Sequence, residues 1–283
     1  MNDLRDWLSD CRVCPNFCGV DRLAGAKGRC RTGAELVVSS AELHFGEESV
    51  LVGRGGSGTI FFTACNLACL FCQNYDISQL DRGSVVTEEE LVRLALGLQA
   101  SGAENINLVT PTHQAPLIGE ALKKARQRGL EVPILYNCGG YENPEFLREL
   151  AGLVDIYMPD FKYGDSAAAL RYSGVKDYVQ WCQEALREMH RQVGDLAVDA
   201  RGVARSGLLV RHLVLPGGLA GSRAVIDFLA EQISRDTFLN IMDQYHPAHR
   251  AGEFPQLRRR VLRHEVEEVR EYARARGMRR LDA

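Results

Sequence analysis

The chain has 283 residues, 46% of them hydrophobic, and a formal net charge of −3 at pH 7. That length suits one full domain with at most a small appendage, and the apolar fraction is enough for a substantial core. The lack of a basic excess argues against a nucleic-acid partner, and no run approaches the roughly 18–20 apolar residues of a membrane span.

The start, MNDLRDWLSDC, is polar and lacks the apolar stretch of a secretory signal. Nine cysteines are too sparse and clustered for a secreted disulfide scaffold. In a reducing cytoplasm, the expected location, such clusters bind metal. Residues 1–50 are taken as an N-terminal cysteine-rich metal-binding segment and residues 51–283 as the core with a C-terminal helix. Within the first segment, Cys11, Cys14, Cys18 and Cys30 are spaced Cys-x2-Cys-x3-Cys-x11-Cys around a glycine-rich loop. A segment this small cannot build its own core, so a metal would help it fold. Several readings stay open: a structural zinc site, an auxiliary iron–sulfur cluster, and reduced, unmetallated thiols or a partner-docking knuckle. His44, in a strand-like run, is a further conceivable ligand.

GRGGSG at Gly53–Gly58 reads as a glycine-rich turn; no Gly-Lys-Ser/Thr follows, so the phosphate-loop signal is weak. Strands are predicted at Ile60–Thr63, Ile106–Thr110, Pro133–Tyr136, Asp155–Met158, Leu208–Val214 and Phe238–Met242. All are short and apolar at both parities, as strands covered on both faces should be. Helices are predicted near Thr87–Ala100, Pro116–Arg128, Pro144–Leu150, Tyr178–Arg191, Ser222–Ile233 and Pro255–Arg276. Thr87 followed by three glutamates is a strong N-cap, and Gly102 and Gly129 fit left-handed C-caps. The arginine clusters at 258–260 and 279–280 read as a solvated face of the last helical stretch. Alternation of strand and helix gives an α/β class with a parallel sheet, whose chemistry belongs at the C-terminal strand ends.

Immediately after the first predicted strand comes TACNLACLFCQN, with Cys65, Cys69 and Cys72 spaced Cys-x3-Cys-x2-Cys. Thiolates are soft ligands suited to iron–sulfur clusters or zinc. Three of them would hold three irons of a 4Fe–4S cluster and leave the fourth open for a small molecule, whereas structural zinc closes with four ligands. The spacing, with Phe71 before the last cysteine, resembles the radical S-adenosylmethionine (SAM) enzymes. That resemblance implies a partial (β/α)6 barrel and a 4Fe–4S cluster whose open iron binds SAM. Reductive cleavage of SAM then yields a hydrogen-abstracting 5′-deoxyadenosyl radical. An electron donor such as flavodoxin or ferredoxin is implied.

Later segments are similar to the pyruvate formate-lyase activating enzyme-like (glycyl-radical activase-like) branch. Cys72-Gln73-Asn74 resembles its Cys-His-Asn, and Asn137 lies in a segment similar to its Thr-Asn-Gly-Tyr. Asp160-Phe161-Lys162 is similar to its Asp-x-Lys, and Arg211 through Gly217 to its Val-Arg-x-x-Val-x-Pro-Gly. Where the branch carries Gly-Gly-Glu-Pro, this chain has Thr110-Pro111-Thr112-His113. The resemblance thus assigns Asn74, Thr110, Thr112, Asn137, Asp160, Lys162 and Arg211 to SAM. His113, Gln244, Tyr245 and His246 are assigned to the substrate side. Cys138 and Cys182 read as packing residues. The implied function is hydrogen abstraction that activates a glycyl-radical protein. The alternatives are radical modification of another peptide or small molecule, and a non-catalytic iron–sulfur or zinc scaffold.

Overall fold

Six short segments, nearly all apolar and buried on both faces, make the parallel centre of the sheet. The computed structural model describes residues 3–282. After an irregular N-terminal stretch come β1 (Leu36–His44), α1 (Ser49–Val52), β2 (Ser57–Phe62), α2 (Tyr75–Ser78), β3 (Ser84–Val86), α3 (Glu88–Ala100) and β4 (Ile106–Val109). Then follow α4 (Ala115–Gln127), β5 (Ile134–Cys138), α5 (Pro144–Glu149), β6 (Ile156–Pro159), α6 (Ser166–Ser173) and α7 (Tyr178–Val193). The rest is β7 (Ala197–Val198), β8 (Ala204–Leu213), α8 (Ser222–Phe228), β9 (Phe238–Met242), α9 (Arg263–Ala275) and β10 (Arg280–Leu281).

Among the described residues the sheet runs β10-β9-β8-β6-β5-β4-β2-β1-β3, with β7 attached to β8. From β2 to β9 every neighbouring pair is parallel. These are the six predicted strands, and with helices between them they form the partial (β/α)6 barrel. β1 and β3 add an antiparallel edge beside β2.

Side chains of a strand alternate between faces, and the apolar residues sort into two clusters accordingly. Ile60, Leu108, Tyr136, Tyr157, Val210 and Leu239 pack outward against helix residues such as Leu91, Leu122, Leu186 and Ile226. Leu135, Ile156, Met158, Leu209 and Phe238 form a separate inner cluster, joined by Leu51 of α1. The β1–β2 connection is therefore folded into the barrel. Asn105 Nδ2 donates to the Leu51 carbonyl at 2.8 Å and ties that connection to the start of β4. Gly55 permits the close approach behind it: a Cβ there would lie 1.8 Å from the Gly102 carbonyl oxygen.

Thr87 heads α3 in a full capping box with Glu90, and Gly102 and Gly129 both have φ +95°, as the sequence predicts. The last helix starts later than predicted. Residues Pro255–Leu257 form a 3₁₀ turn, and Glu265 accepts from the Leu262 backbone N–H at 2.8 Å. That contact sets the helix start at Arg263. The arginines at 258–260 and 279–280 consequently lie outside α9. The predicted helix at 222–233 divides into α8 and a π-helical turn at Leu229–Ile233. α6 was not predicted, although Asp165 caps its first amides and Gly174 closes it with φ +71°.

The inner cluster is small and has no helix layer to collapse onto it. Leu135→Ala is expected to destabilise the protein by about 2–5 kcal/mol, read by urea unfolding. Thr87→Ala should cost about 1 kcal/mol. Equal, small effects would contradict a packed barrel interior.

Candidate active site

β2 delivers the chain to the top of the barrel, where Ala64, with φ +71°, turns it into the cysteine loop. Cys69 is buried, and Cys65 and Cys72 are partly so. Each sulfur has a hydrogen-bonding neighbour. The Leu67 N–H lies 3.4 Å from Cys65 Sγ, Ser173 Oγ 2.9 Å from Cys69 Sγ and Ser78 Oγ 3.2 Å from Cys72 Sγ. Burial pushes the Cys65 and Cys69 thiols up, while the Lys162 ammonium works in the opposite direction.

Three soft donors on one loop, with N–H and O–H groups at the sulfurs and a cation at hand, fit a 4Fe–4S cluster held by Cys65, Cys69 and Cys72. No three His, Cys, Asp or Glu side chains among the described residues converge as a single metal ion requires. A multi-iron cluster instead spreads its thiolates over separate irons.

Beside this loop the ends of β5, β6 and β8 bring four predicted residues together. Asp160 Oδ2 accepts from Lys162 Nζ at 2.6 Å, and Asp160 Oδ1 from Arg211 Nε at 2.9 Å. Arg211 Nη2 donates to Asn137 Oδ1 at 2.8 Å. Burial opposes every charge here, but Lys162 and Arg211 together hold the Asp160 carboxyl below its usual range. Burial likewise opposes the charged Lys162 and Arg211, and Asp160 outweighs it at both, so both stay cationic. In such surroundings the cations are preset to meet a carboxylate or a negatively charged cluster.

At the end of β4, Thr110 sits at φ +58°, its N–H held by the Asn137 carbonyl at 2.8 Å. A β-branched residue pays for that conformation, and this is the place where the activase-like branch carries glycine. Thr112 turns away from the network and donates to Glu142 Oε1 at 2.7 Å. Burial pushes the Glu142 carboxyl up to about 7. Asn74 is exposed at the start of α2.

The four substrate-side residues divide. Gln244 and His246 lie together at the open side, where Gln73 Nε2 donates to the Gln244 carbonyl at 3.1 Å and lies 3.3 Å from His246 Nδ1. His113 is not there: it is buried with Nε2 2.7 Å from the Thr63 carbonyl oxygen. Tyr245 is not there either, because its ring packs edge-on against Phe71 and its hydroxyl donates to the Leu257 carbonyl at 2.7 Å. Both residues follow the end of a strand, where the chain turns and strand parity no longer decides direction. Cys138 and Cys182 are buried as packing residues.

Sequence reasoning missed the polar lining of the barrel. Glu47 Oε2 lies 3.4 Å from Arg211 Nη1, and Glu48 Oε1 accepts from Asn240 Nδ2 at 2.8 Å. Asn107 is fully buried on the same sheet face as Leu135, with neither side-chain amide atom partnered among the described residues. The available signal was a lone asparagine inside the apolar runs INLV and FLNIM. A cavity of about 420 Å³ opens beside Glu47, Glu48, Arg211, Asn240, Met242 and Gln244.

The N-terminal cysteines dock next to the cluster loop. Asn16 Nδ2 donates to the Asn66 carbonyl at 2.8 Å and lies 3.5 Å from Cys14 Sγ. A Cβ on Gly28 would lie 3.0 Å from Cys18 Sγ and 3.9 Å from Cys30 Sγ, so glycine lets these two sulfurs approach. Arg22 is fully buried, with Nη1 3.8 Å from Cys11 Sγ and Nη2 3.1 Å from Thr32 Oγ1. The tetrahedral convergence that zinc requires is not formed among the described residues, so zinc gains no support. His44 pairs instead with Glu47, Nδ1 to Oε1 at 3.0 Å.

This fold and loop define a class, and the sequence agrees. The profile of the Radical SAM superfamily matches residues 59–199. The chain is 31% identical over 276 residues to the uncharacterized protein MJ0674 of Methanocaldococcus jannaschii, covering 94% of this chain and 75% of that one. The chain belongs to the radical SAM superfamily of enzymes.

Among solved structures, SuiB of Streptococcus suis bound to its precursor peptide SuiA superposes with a TM-score of 0.54 at 12% identity. The match covers 78% of this chain and 47% of SuiB, so the chain spans about half of that protein's length. Methylornithine synthase (PylB) gives a TM-score of 0.54 at 13% identity, covering 79% of this chain and 63% of that one. At these identities the likeness is one of fold. Among the described residues no helix is long and apolar enough to cross a membrane.

Asp160→Asn is expected to leave Lys162 and Arg211 without their shared counter-charge and to cost about 3–5 kcal/mol, read by urea unfolding; a loss under 1 kcal/mol would contradict a buried network. Burial also holds His113 and His212 down to about 4, against an ordinary value near 6.5. Folded pKa values below the unfolded ones mean that stability is present above pH 6.5 and is lost as pH falls toward 4. The Glu142 carboxyl, raised, works the other way between about 4.5 and 7. The net expectation is an unfolding midpoint that drops on acidification below pH 6.5, and drops less in His212→Asn. An identical drop in that variant would contradict the assignment.

Proposed function

We propose that this chain abstracts a hydrogen atom from a compact substrate, or from a single side chain of a larger one, seated in the barrel next to the network. The supporting observation is the cavity of about 420 Å³ between the acidic β1–β2 connection and Arg211. A volume of that order suits a small molecule or one side chain.

In this reading Cys65, Cys69 and Cys72 hold the 4Fe–4S cluster. Asn137, Asp160, Lys162 and Arg211 hold SAM, with Arg211 or Lys162 facing its carboxylate. Bound together, cluster and SAM supply one-electron reductive cleavage and hence a hydrogen-abstracting radical. The protein's own part is electrostatic and steric. Lys162 offsets negative charge at the thiolates, and Asp160 keeps both cations in place. The inner apolar cluster closes the barrel floor to water.

A second reading, activation of a glycyl-radical protein, is favoured by the run of activase-like motifs at Cys72–Asn74, Asn137, Asp160–Lys162 and Arg211–Gly217. SuiB, solved with a bound precursor peptide, suggests the remaining alternative, a peptide target. The electron donor is proposed to be a flavodoxin or ferredoxin, and the N-terminal cysteines are proposed to hold an auxiliary iron–sulfur cluster.

Anaerobic protein reconstituted with iron and sulfide, then given dithionite and SAM, is expected to form 5′-deoxyadenosine, and Cys69→Ala to lose it entirely. A well-formed reduced cluster without product, with or without candidate substrates, would contradict the reading. A glycine-centred doublet by electron paramagnetic resonance on adding a glycyl-radical protein would select the activase alternative.

A further inference from the structure

We infer that the cavity beside the β1–β2 connection binds a cationic group of the substrate, an alkylammonium or guanidinium, on the carboxylate of Glu48. The inference rests on the proposed function, since it names the chemistry of the substrate for the same site.

One buried carboxylate oxygen of the cavity lining accepts no hydrogen bond among the described residues. Arg211 is met by Asp160 at 2.9 Å and by Glu47 at 3.4 Å, and Lys162 by Asp160 at 2.6 Å. Glu47 has Arg211 and the ring of His44. Glu48 Oε1 has the Asn240 amide at 2.8 Å. Glu48 Oε2 is buried and accepts no hydrogen bond among the described residues, although Arg211 is near enough to feel the Glu48 charge, and the residue as a whole is only 6% exposed. Asp282 also lines the cavity, so four carboxylates (Glu47, Glu48, Asp160 and Asp282) belong to the lining and its adjoining ion pairs, beside the cations Lys162 and Arg211. A buried carboxylate oxygen without a donor is costly, so the site lacks a donor, and a positively charged one meets a carboxylate most strongly.

The size and shape of the space decide what kind of cation. About 420 Å³ is far more than a bare ion fills, and no three ligating side chains converge on one point among the described residues. Met242 gives the cavity an apolar wall beside Asn240 and Gln244, which suits the alkyl stem carrying such a head group. Glu48 is fixed for this role by the fold: it precedes α1, whose Leu51 is locked into the inner apolar cluster.

The test is calorimetric titration of the full chain with its cluster reconstituted, without reductant or SAM, at constant ionic strength. The probes are n-pentylammonium, agmatine and neutral n-pentanol. Both cations are expected to bind at least tenfold more tightly than n-pentanol. Glu48→Gln should weaken them at least tenfold. Met242→Lys, which tethers an ammonium inside the cavity and leaves Glu48 intact, should abolish their binding. The inference is overturned if the cations give no heat, if n-pentanol binds as well, if both variants bind like wild type, or if saturating SAM displaces the cations. Because these readings need no turnover, their failure beside normal 5′-deoxyadenosine formation would remove this inference alone.

Discussion

The top of the barrel depends on one carboxylate. Asp160 is the shared partner of Lys162 and Arg211, and it stands where β6 ends and β8 passes. Without it two cations would be buried with too little negative charge around them. With it, the same cations can be held beside three thiols, ready for an anionic cluster and a zwitterionic ligand. The charge is preorganised before any ligand arrives, which is where a protein contributes most to cofactor chemistry.

That arrangement needs a rigid support, and the sheet provides it. Asn137, Asp160 and Arg211 come from three adjacent strands held in parallel register, so their spacing is set by backbone hydrogen bonds rather than by loops. The inner apolar cluster below them excludes water, and the β1–β2 connection enters the barrel to complete that cluster with Leu51. The same connection carries Glu47 and Glu48 to the cavity. One insertion therefore closes the floor and supplies acidic lining.

Much of this was legible in the sequence because the physics there is local. Short apolar runs at both parities that alternate with helical patterns read as strands covered twice, and all six parallel strands follow from that. The cysteine spacing is legible because cluster ligation is a short-range constraint. Asn137, Asp160 and Arg211 were legible through the motifs that resemble the activase-like branch, Asp160 also as a polar residue at a strand end. The failures share another cause. Glu47 and Glu48 look like a solvated acidic pair, and only long-range closure of the chain brings them to Arg211 and Asn240. His113 and Tyr245 sit at the right level of the barrel, but after a strand ends the backbone turns, and each side chain finds a carbonyl in the core. The start of α9 was hidden because the capping partner of Leu262, Glu265, lies inside a run that is helical in pattern throughout.

The proposed function rests on Cys65, Cys69 and Cys72 holding the cluster with no fourth protein ligand, which would leave one iron open to SAM. Mössbauer spectra of ⁵⁷Fe-reconstituted protein, recorded with and without SAM, address it directly. The account predicts that one iron of the cluster at Cys65, Cys69 and Cys72 shifts its isomer shift and quadrupole splitting on SAM addition while three stay unchanged, with Cys14→Ala showing the same response. Spectra in which no iron responds to SAM, or in which that cluster survives Cys69→Ala, would contradict it.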